Sequence, residues 1–392
     1  MAAPSVKQAT GGSKAQAKPR PFRVGVQSKD EIDYDQTVTG TTSTQDLPVL
    51  NVPPAGFLRG LYVIVETLAG NTGTVSVAFT PDGPFNVLSS IALEDVNSQP
   101  ILGPFTGYDL YLVNKYGGYV FQNDPKMASS PAFFQVTGAG TTAASPGTAQ
   151  GGAYTFILRL PVELVARDGL GSLPNKSGTS MFKVRMRISA TATVYATAPG
   201  STWVTRVRIQ QYNWWDPPSA DLRGRALAQN PPAVQTTQYW SKASFSVAAS
   251  QSRQGLERVG FLIRNIVFIL RDANGSRTAS GDANFPDPFT LQFEAIQQIV
   301  RLKTLWTKMM SEYYGYTAAK EAAGGLDLGV YVESFCRDFS LAPGSETRMG
   351  YLGTSSASRL EVQGTFGGAG TLDVLTNDVA PPAGDDMALV GR

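Results

Sequence analysis

The chain has 392 residues, of which 42% are hydrophobic and 16% are charged, and its formal net charge is +2. This composition excludes an intrinsically disordered protein, and the length predicts two or three domains with cores of ordinary size. The chain has no histidine and one cysteine, Cys336, which excludes imidazole-based catalysis, imidazole zinc sites and an internal disulfide.

No apolar run reaches the roughly 18 residues that a membrane span needs, because Arg264 interrupts the best candidate. Residues 1–30 also lack the apolar middle of a signal peptide. We therefore expect a protein that is made in a cytosol and stays soluble there.

The first residues form a basic segment. Its six basic residues all precede the first acidic residue, Asp30, and they are Lys7, Lys14, Lys18, Arg20, Arg23 and Lys29. Residues 1 to about 22 are rich in Ala, Gly, Ser, Gln and Pro, so they cannot form a core of their own. The segment is either a solvated tail or an arm that binds an anionic surface, such as lipid headgroups or nucleic acid phosphates.

The first half of the chain reads as short strands separated by turn residues. Strands are predicted at residues 47–52, 56–65, 74–79, 85–93, 108–113, 154–160, 182–188 and 203–212. A short helix is possible at residues 124–132, a loop is predicted at 138–152, and residues 162–180 form a long polar connection. Strand 182–188 alternates apolar and basic residues, which indicates one buried and one wet face.

A linker follows, marked by the proline pairs Pro217-Pro218 and Pro231-Pro232. In the second half, the apolar residues of 296–314 fall three and four apart, which predicts one amphipathic helix that packs against its own sheet. Late strands are predicted at 329–335, 360–366 and 372–375.

The second half repeats a stretch of the first. Residues 56–65 begin Gly, Phe, Leu, and so do residues 260–269, which start 204 positions later. The turn Pro84-Phe85 returns at the same offset as Pro288-Phe289. We therefore predict two copies of one all-β domain, in which Phe57 matches Phe261, Val63 matches Val267 and the two proline turns match each other.

The motifs that suggest chemistry each have a simpler explanation. Residues 138–143 resemble a dinucleotide fingerprint, but Pro146 stands where its helix would start. The sequence at Asp272 resembles a calcium loop, but Arg277 and Ala283 replace its glycine and glutamate, so a hairpin turn is predicted.

Three further groups were considered as sites. The first is an acidic run that consists of Asp30, Glu31, Asp33 and Asp35. Such a run could hold a catalytic carboxylate pair or a cation, but a solvated charge run is the simpler interpretation. The pair Trp214-Trp215 either stacks on sugars or bases or packs between domains. Cys336 is expected to be packed rather than reactive.

The sequence resembles the double jelly-roll major capsid proteins, most closely those of tectiviruses with an internal membrane. The shared features are two β-rich domains in tandem, a helix in the second domain, a basic arm and the lack of a recognisable catalytic motif. The resemblance covers roughly residues 40–378. Its motifs are weak singly and persuasive in their order: residues 56–63, the turn at 83–87, the segment 144–164, the closing strand with its proline pair, and the helix after Ile299.

The resemblance implies an all-β fold of two tandem eight-stranded jelly-roll sandwiches, with one amphipathic helix in the second and a disordered or extended N-terminal arm. The expected division is a basic arm at 1–36, a first jelly roll at 37–215, a linker at 216–240, a second jelly roll at 241–378 and a tail at 379–392. The sequence lacks an obvious long amphipathic helix in the arm and lacks histidine, which are departures from the family pattern.

The implied function is that of a major capsid protein which trimerises into pseudo-hexagonal capsomers and builds an icosahedral shell around an internal membrane and a DNA genome. It implies a virion protein assembled in the host cytoplasm, with no enzymatic activity, no cofactor and no specific nucleic acid recognition. Its partners are the other chains of a homotrimer, neighbouring capsomers, minor capsid or vertex proteins, and inner membrane lipids. The arm residues expected to contact the membrane or capsid interior are Lys7, Lys14, Lys18, Arg20 and Arg23.

Two other functions stay open at this point. A carbohydrate-binding or carbohydrate-active double sandwich needs aromatic and acidic residues clustered on one set of loops. The connection at 162–180 offers only Glu163 and Asp168, with no aromatic residue beside them. A virion spike or tail component shares the β content but explains the repeated stretch less well.

Overall fold

The structure is a computed structural model. It describes residues 28–69, 76–119, 133–135, 138–139, 152–164, 169–200, 202–215, 237–256, 261–293, 296–314, 326–336, 350–354 and 359–380. Outside these ranges lie the possible helix at 124–132, Asp168 and five basic residues of the arm, Lys7, Lys14, Lys18, Arg20 and Arg23.

Strands dominate the first half of the chain. They are β1 (Ser28–Thr39), β2 (Gln45–Asp46), β3 (Leu50–Asn51), β4 (Phe57–Ala69), β5 (Ser76–Phe79), β6 (Leu88–Glu94), β7 (Pro100–Phe105), β8 (Phe133–Gln135), β9 (Gly138–Ala139), β10 (Tyr154–Pro161), β11 (Leu173–Pro174), β12 (Lys183–Ile188), β13 (Tyr195–Thr197) and β14 (Val204–Trp214). The helices of this half are α1 (Gly107–Tyr116) and the single turn α2 (Thr191–Val194).

The second half has the same character. Its strands are β15 (Gln238–Val247), β16 (Gln251–Gly255), β17 (Leu262–Asp272), β18 (Phe289–Phe293), β19 (Ile296–Arg301), β20 (Val330–Ser334), β21 (Leu352–Gly353), β22 (Leu360–Thr365) and β23 (Gly370–Val379). Its helices are α3 (Ala279–Ala283) and α4 (Lys303–Tyr314).

The two halves have the same topology. In the first sandwich, one sheet has the order β1-β14-β4-β10, and the facing sheet has the order β2/β3-β12-β6-β7. In the second, the corresponding orders are β15-β23-β17-β20 and β16-β22-β18-β19. In both halves the eight sandwich strands follow the same order along the chain, with a helix after the fifth, α1 in the first half and α4 in the second. The chain is therefore two tandem eight-stranded jelly rolls, which confirms the predicted fold class.

The sheets also join the halves to each other. Strand β7 of the first sandwich pairs in parallel with β15 of the second at Leu102 and Trp240. This pairing makes one sheet of ten strands that runs from one sandwich into the other. Trp240 is buried beside the junction.

Burial follows the sequence pattern where a strand has one wet face. In β12 the apolar residues Val184, Met186 and Ile188 are buried and the basic residues between them are not, as predicted. Strand β17 differs, because Leu262–Leu270 are all buried. One face of β17 lines the second core, and the other face is covered by the first sandwich.

The repeated stretch occupies equivalent strands. Phe57 begins β4, Phe261 directly precedes β17, and both strands lie third in their sheets. Phe85 and Phe289 also occupy equivalent places after their proline turns. Phe85 lies in the short helical turn just before β6, and Phe289 is the first residue of β18.

The expected match of Val63 with Val267 is wrong by one residue. Both strands have a bulged residue near their start, Arg59 in β4 and Arg264 in β17, and the second copy has one more residue before that bulge. Beyond the bulge the inward residue of β17 is Phe268, whose ring lies 4.9 Å from that of Phe289 in the facing sheet. Val63 thus corresponds to Phe268, since a shift of one residue reverses the face of a strand.

Two segments differ from their predicted secondary structure. Residues 108–113, predicted as a strand, lie in helix α1. All ten residues of α1 are buried, so no amphipathic period marks it in the sequence.

The predicted helix at 296–314 is half strand. Residues Ile296–Arg301 pair with β18, and the helix begins only at Lys303. Helix α4 packs against its own sheet as predicted, because the Trp306 indole donates to the Val332 carbonyl of β20 at 2.6 Å.

The first strand also begins earlier than predicted. Strand β1 starts at Ser28 and pairs with β14 along its length, so the acidic run lies in a strand at the edge of a sheet, where Asp30 and Asp35 are exposed. We propose the same division of the chain into arm, sandwich, linker, sandwich and tail, with the first sandwich beginning at Ser28 and the second at Gln238.

Candidate functional site

Helix α1 lies between the two sandwiches, and its sequence explains why it begins where it does. The Thr106 hydroxyl accepts from the Asp109 backbone amide at 3.1 Å, and the Asp109 carboxylate accepts from the Thr106 amide at 3.0 Å. This reciprocal pair is a capping box, which satisfies two amides that a helix start leaves without partners. Lys115 in the last turn complements the helix dipole.

Helix α1 is attached to the first sandwich through Asn114. Its amide donates to the Arg159 carbonyl at 2.8 Å, and its side-chain oxygen accepts from the Arg159 amide at 2.8 Å. Asn114 therefore bonds to the backbone of β10 as a neighbouring strand would.

The same helix is attached to the second sandwich at both ends. The Tyr108 hydroxyl donates to the Leu326 carbonyl at 2.6 Å. At the other end, Asn265 of β17 donates to the Tyr116 carbonyl at 3.2 Å, and Arg264 donates to the Gly117 carbonyl at 3.1 Å.

Asp82 is the centre of the charged contacts between the halves. Arg271 Nη1 donates to Asp82 Oδ2 at 2.7 Å, and Arg277 Nε donates to Asp82 Oδ1 at 2.6 Å. Arg277 also lies over the Tyr108 ring, with Cζ 4.2 Å from its centroid. Burial alone would raise the pKa of Asp82, but the two guanidiniums hold that pKa below its usual value.

The charges continue along β15 and β23. Arg271 Nε donates to Asp373 Oδ2 at 3.0 Å, and Lys242 Nζ lies 3.2 Å from Asp373 and 2.8 Å from Asp109. Burial opposes the charge of Lys242, but Asp109 and Asp373 raise the pKa of its ammonium above the usual value. The chain of contacts thus returns to the capping residue of α1.

A second buried pair closes the other end of α1. Lys115 Nζ donates to Asp327 Oδ2 at 2.5 Å, and the Tyr116 hydroxyl donates to Asp327 Oδ1 at 2.9 Å. Lys115 is 1% exposed, so this ammonium is neutralised within the protein.

We call this interface the seam, and it comprises α1, Asp82, Lys242, Arg271, Arg277, Asp327 and Asp373. Each of its buried charges faces an opposite charge within hydrogen-bonding distance. Removal of one partner would leave an uncompensated buried charge, so the seam specifies one relative placement of the sandwiches. Its chemistry is structural, since each carboxylate is committed to a cation.

The residues singled out in the sequence lie elsewhere. Trp214 is buried, its indole donates to Glu163 Oε1 at 2.6 Å, and Arg59 stacks 3.7 Å from its ring, so Trp214 is packed. Trp215 is 46% exposed. Glu163 is committed to Arg59 at 2.9 Å, and Cys336 is buried as expected.

The two candidate cation sequences are also explained by local contacts. Asp272 accepts from the amides of Asn274 at 2.9 Å and Ser276 at 3.0 Å, which is the predicted turn. Asp35 in the acidic run pairs with Arg206. The part of the chain that the structure describes contains no group of three or more acidic, histidine or cysteine side chains placed to hold a metal.

A cleft of about 720 Å³ lies between α3 and α4. Asp282 at its base accepts from the Gly329 amide at 2.9 Å and the Tyr331 hydroxyl at 3.0 Å, so that carboxylate supports the fold. Among the described residues, no helix is both long enough and apolar enough to span a bilayer.

Sequence reasoning missed the seam. In the sequence Arg264 marks only an interruption of an apolar run, and Asp82 is not singled out. The available signals were a basic residue inside a strand that is otherwise buried, and the Thr106 and Asp109 spacing of a capping box. Neither signal identifies its partner, because Asp82 and Arg271 are 189 residues apart.

Comparison with known proteins gives matches in structure only. No family model matches the sequence, and no curated protein matches it. The atomic structure of Sulfolobus turreted icosahedral virus matches with a TM-score of 0.59 at 12% identity, over 92% of this chain and 93% of that one.

Two other solved structures agree. The crystal structure of the STIV major capsid protein matches with a TM-score of 0.57 at 13% identity, over 91% of this chain and 97% of that one. The PBCV-1 virus capsid model matches with a TM-score of 0.56 at 11% identity, over 90% and 93% of the two chains. The chain therefore has the fold of the double jelly-roll major capsid proteins.

Proposed function

We propose that this chain is the major capsid protein of an icosahedral virus with an internal membrane and a DNA genome, of the tectivirus-like kind that infects bacteria. The observation that carries the proposal is the pair of jelly rolls with identical strand order, which matches capsid proteins over nearly the whole length of both chains. The chain acts as a building block of the virion and not as an enzyme, and it needs no cofactor.

The proposed assembly unit is a homotrimer with pseudo-hexagonal outline. Two similar sandwiches per chain give a trimer six similar edges, which suits packing into a closed shell beside neighbouring capsomers and vertex proteins. The seam supports this role, because it fixes the angle between the two sandwiches within each chain and so fixes the outline of the unit.

Light scattering coupled to size exclusion tests the trimer directly. We expect one species with three times the mass of the chain, and negative-stain images with triangular or hexagonal outlines. A monodisperse single-chain mass at micromolar concentration contradicts the proposal.

We further propose that the basic arm contacts lipid headgroups on the capsid interior. The expected result is flotation with anionic liposomes at low salt, weakened as salt screens the charges. The test variant replaces with glutamine the residues Lys7, Lys14, Lys18, Arg20 and Arg23.

The matched control replaces Lys183, Arg185 and Arg187, which project from the wet face of β12. The control should float like the unmodified protein. Equal flotation with neutral liposomes, or no loss in the arm variant, contradicts lipid contact, and preference for DNA would assign the arm to the genome.

A further inference from the structure

Arg159 of β10 carries a guanidinium that forms no ion pair with any described residue, and Glu163 acts on its charge only at longer range. Its side chain lies on the face of the sheet that points away from the first core, because Leu158 and Leu160 on either side of it are buried in that core. Within the described part of the chain, no acidic side chain lies within ion-pair distance of it. Its Nε is buried and has no hydrogen-bond partner.

Aromatic rings hold this guanidinium in place. Its Cζ lies 5.1 Å from the ring centroid of Tyr119 and 4.8 Å from that of Tyr212. Tyr62 stacks on Tyr212 at 5.1 Å, which fixes the position of the second ring. Cation–π contacts orient a guanidinium but do not neutralise its charge.

Room for this arrangement is provided by Gly60 on the neighbouring strand. A Cβ added at Gly60 would lie 3.3 Å from Arg159 Nε and 3.1 Å from the Tyr212 ring. The backbone of Gly60 has φ +159, which residues with a side chain rarely adopt, and an added Cβ would lie 2.8 Å from the Leu160 carbonyl oxygen, so both the conformation and the close approach favour glycine.

The neighbouring arginine has a partner of its own. Arg59 lies 4.6 Å from the same Tyr212 ring, and its Nε donates to Glu163 at 2.9 Å. Two guanidiniums therefore share one ring, and of these two the Glu163 carboxylate pairs with Arg59 alone. The local charge has an excess of one positive unit, and burial lowers the pKa of Arg159 from its ordinary value.

We propose that Arg159, with Tyr119 and Tyr212, forms a binding site for a small oxyanion, with a carboxylate preferred. A guanidinium held flat by aromatic rings presents a rigid fork of N–H donors, which matches the two coplanar oxygens of a carboxylate and also accepts phosphate. Nε is buried without a hydrogen-bond partner, whereas the side chain as a whole is partly exposed and no described residue accepts a hydrogen bond from Nη1 or Nη2, so these two nitrogens can donate to a ligand. The site does not depend on the proposed function of the chain.

Calorimetric titration of the full-length protein with acetate, and separately with inorganic phosphate, tests the site at constant ionic strength. We expect saturable binding of one anion per chain, and a loss of at least about tenfold in affinity for Arg159→Met. The ratio of the two affinities shows whether a carboxylate or a phosphate group is the better ligand.

Arg159→Lys and Arg187→Met complete the test. Lysine keeps the charge but lacks the fork, so we expect Arg159→Lys to fold and to lose most of the affinity for acetate. Arg187 pairs with Asp46 at an exposed site, so Arg187→Met should bind like the unmodified protein. No saturable binding of either anion, or unchanged affinity in Arg159→Lys, overturns the proposal.

Discussion

At the scale of single residues, Asp82 has the largest consequences for the fold. One carboxylate serves two guanidiniums, Arg271 and Arg277, and both belong to the other sandwich. Arg277 is among the largest fully buried side chains of the described residues. Loss of one member of the buried Asp82–Arg277 pair should therefore lower the stability of the fold more than loss of one member of a surface ion pair.

We predict that Asp82→Asn lowers the free energy of unfolding by about 3 to 5 kcal/mol, because it takes the paired carboxylate from the buried Arg277 guanidinium and leaves Arg271 with Asp373 alone. Equilibrium unfolding in guanidinium chloride at pH 7 measures this. The control is Asp46→Asn, whose partner Arg187 is exposed, and we expect that change to stay within about 0.5 kcal/mol. A loss for Asp82→Asn as small as that of the control contradicts a stabilising seam.

The same carboxylate predicts the acid response. The folded pKa of Asp82 lies below its unfolded value of about 3.9, so its contribution is present above that pH and is lost as the pH falls through the folded pKa. The difference in unfolding free energy between the unmodified protein and Asp82→Asn should therefore shrink as the pH falls below about 4. A difference that stays constant from pH 7 to pH 3 contradicts the assignment.

At the scale of elements, α1 joins the two halves and was not predicted as a helix. Strands with one wet face could be predicted, since alternation in β12 and β14 records which side chains are buried. Helix α1 is buried all round, so its residues 108–113 show an apolar run that a strand also shows. Only the capping residues Thr106 and Asp109 distinguish this helix from a strand in the sequence, and they form a cap only if the chain turns before Gly107.

Register was also only partly predictable. The repeat identified the equivalent strands, but the extra residue before Arg264 placed Phe268 rather than Val267 in the second core. A bulge has no clear sequence signature, because it is defined by two residues facing one on the neighbouring strand. The seam was unpredictable for a related reason, since its partners lie far apart in the chain.

The start of α1 gives a prediction at this scale. Thr106→Ala removes the hydroxyl that caps the helix, and we expect a loss of about 1 kcal/mol of unfolding free energy. Thr304→Ala is the matched control, because Thr304 is exposed within α4 and alanine favours a helix interior. Chemical denaturation of both variants checks this, and equal effects of the two changes would show that the cap does not matter.

At the scale of the whole molecule, the seam turns two sandwiches into one unit. The shared ten-stranded sheet contributes a single parallel contact at Leu102 and Trp240, so the sheet alone is a thin connection. The attachment is supplied mainly by α1 and the charges around it, which bind to both sandwiches. A capsid building block of fixed outline requires this, because neighbouring units must meet at constant angles.

We therefore predict that the two sandwiches unfold in one cooperative transition, with calorimetric and van't Hoff enthalpies in agreement for each unfolding unit. The double variant Asp82→Asn with Asp327→Asn removes one carboxylate at each end of the seam. Asp82 of the first sandwich pairs with Arg271 and Arg277 of the second, and Asp327 of the second pairs with Lys115 of α1. It should unfold in two resolved steps, because each sandwich keeps its own eight strands and core.

The control is the double variant Asp46→Asn with Asp95→Asn, both on exposed parts of the first sandwich, which should keep one transition. Two transitions in the unmodified protein, or one transition in the seam variant at a merely lower temperature, would mean that apolar contact rather than the charged seam couples the halves.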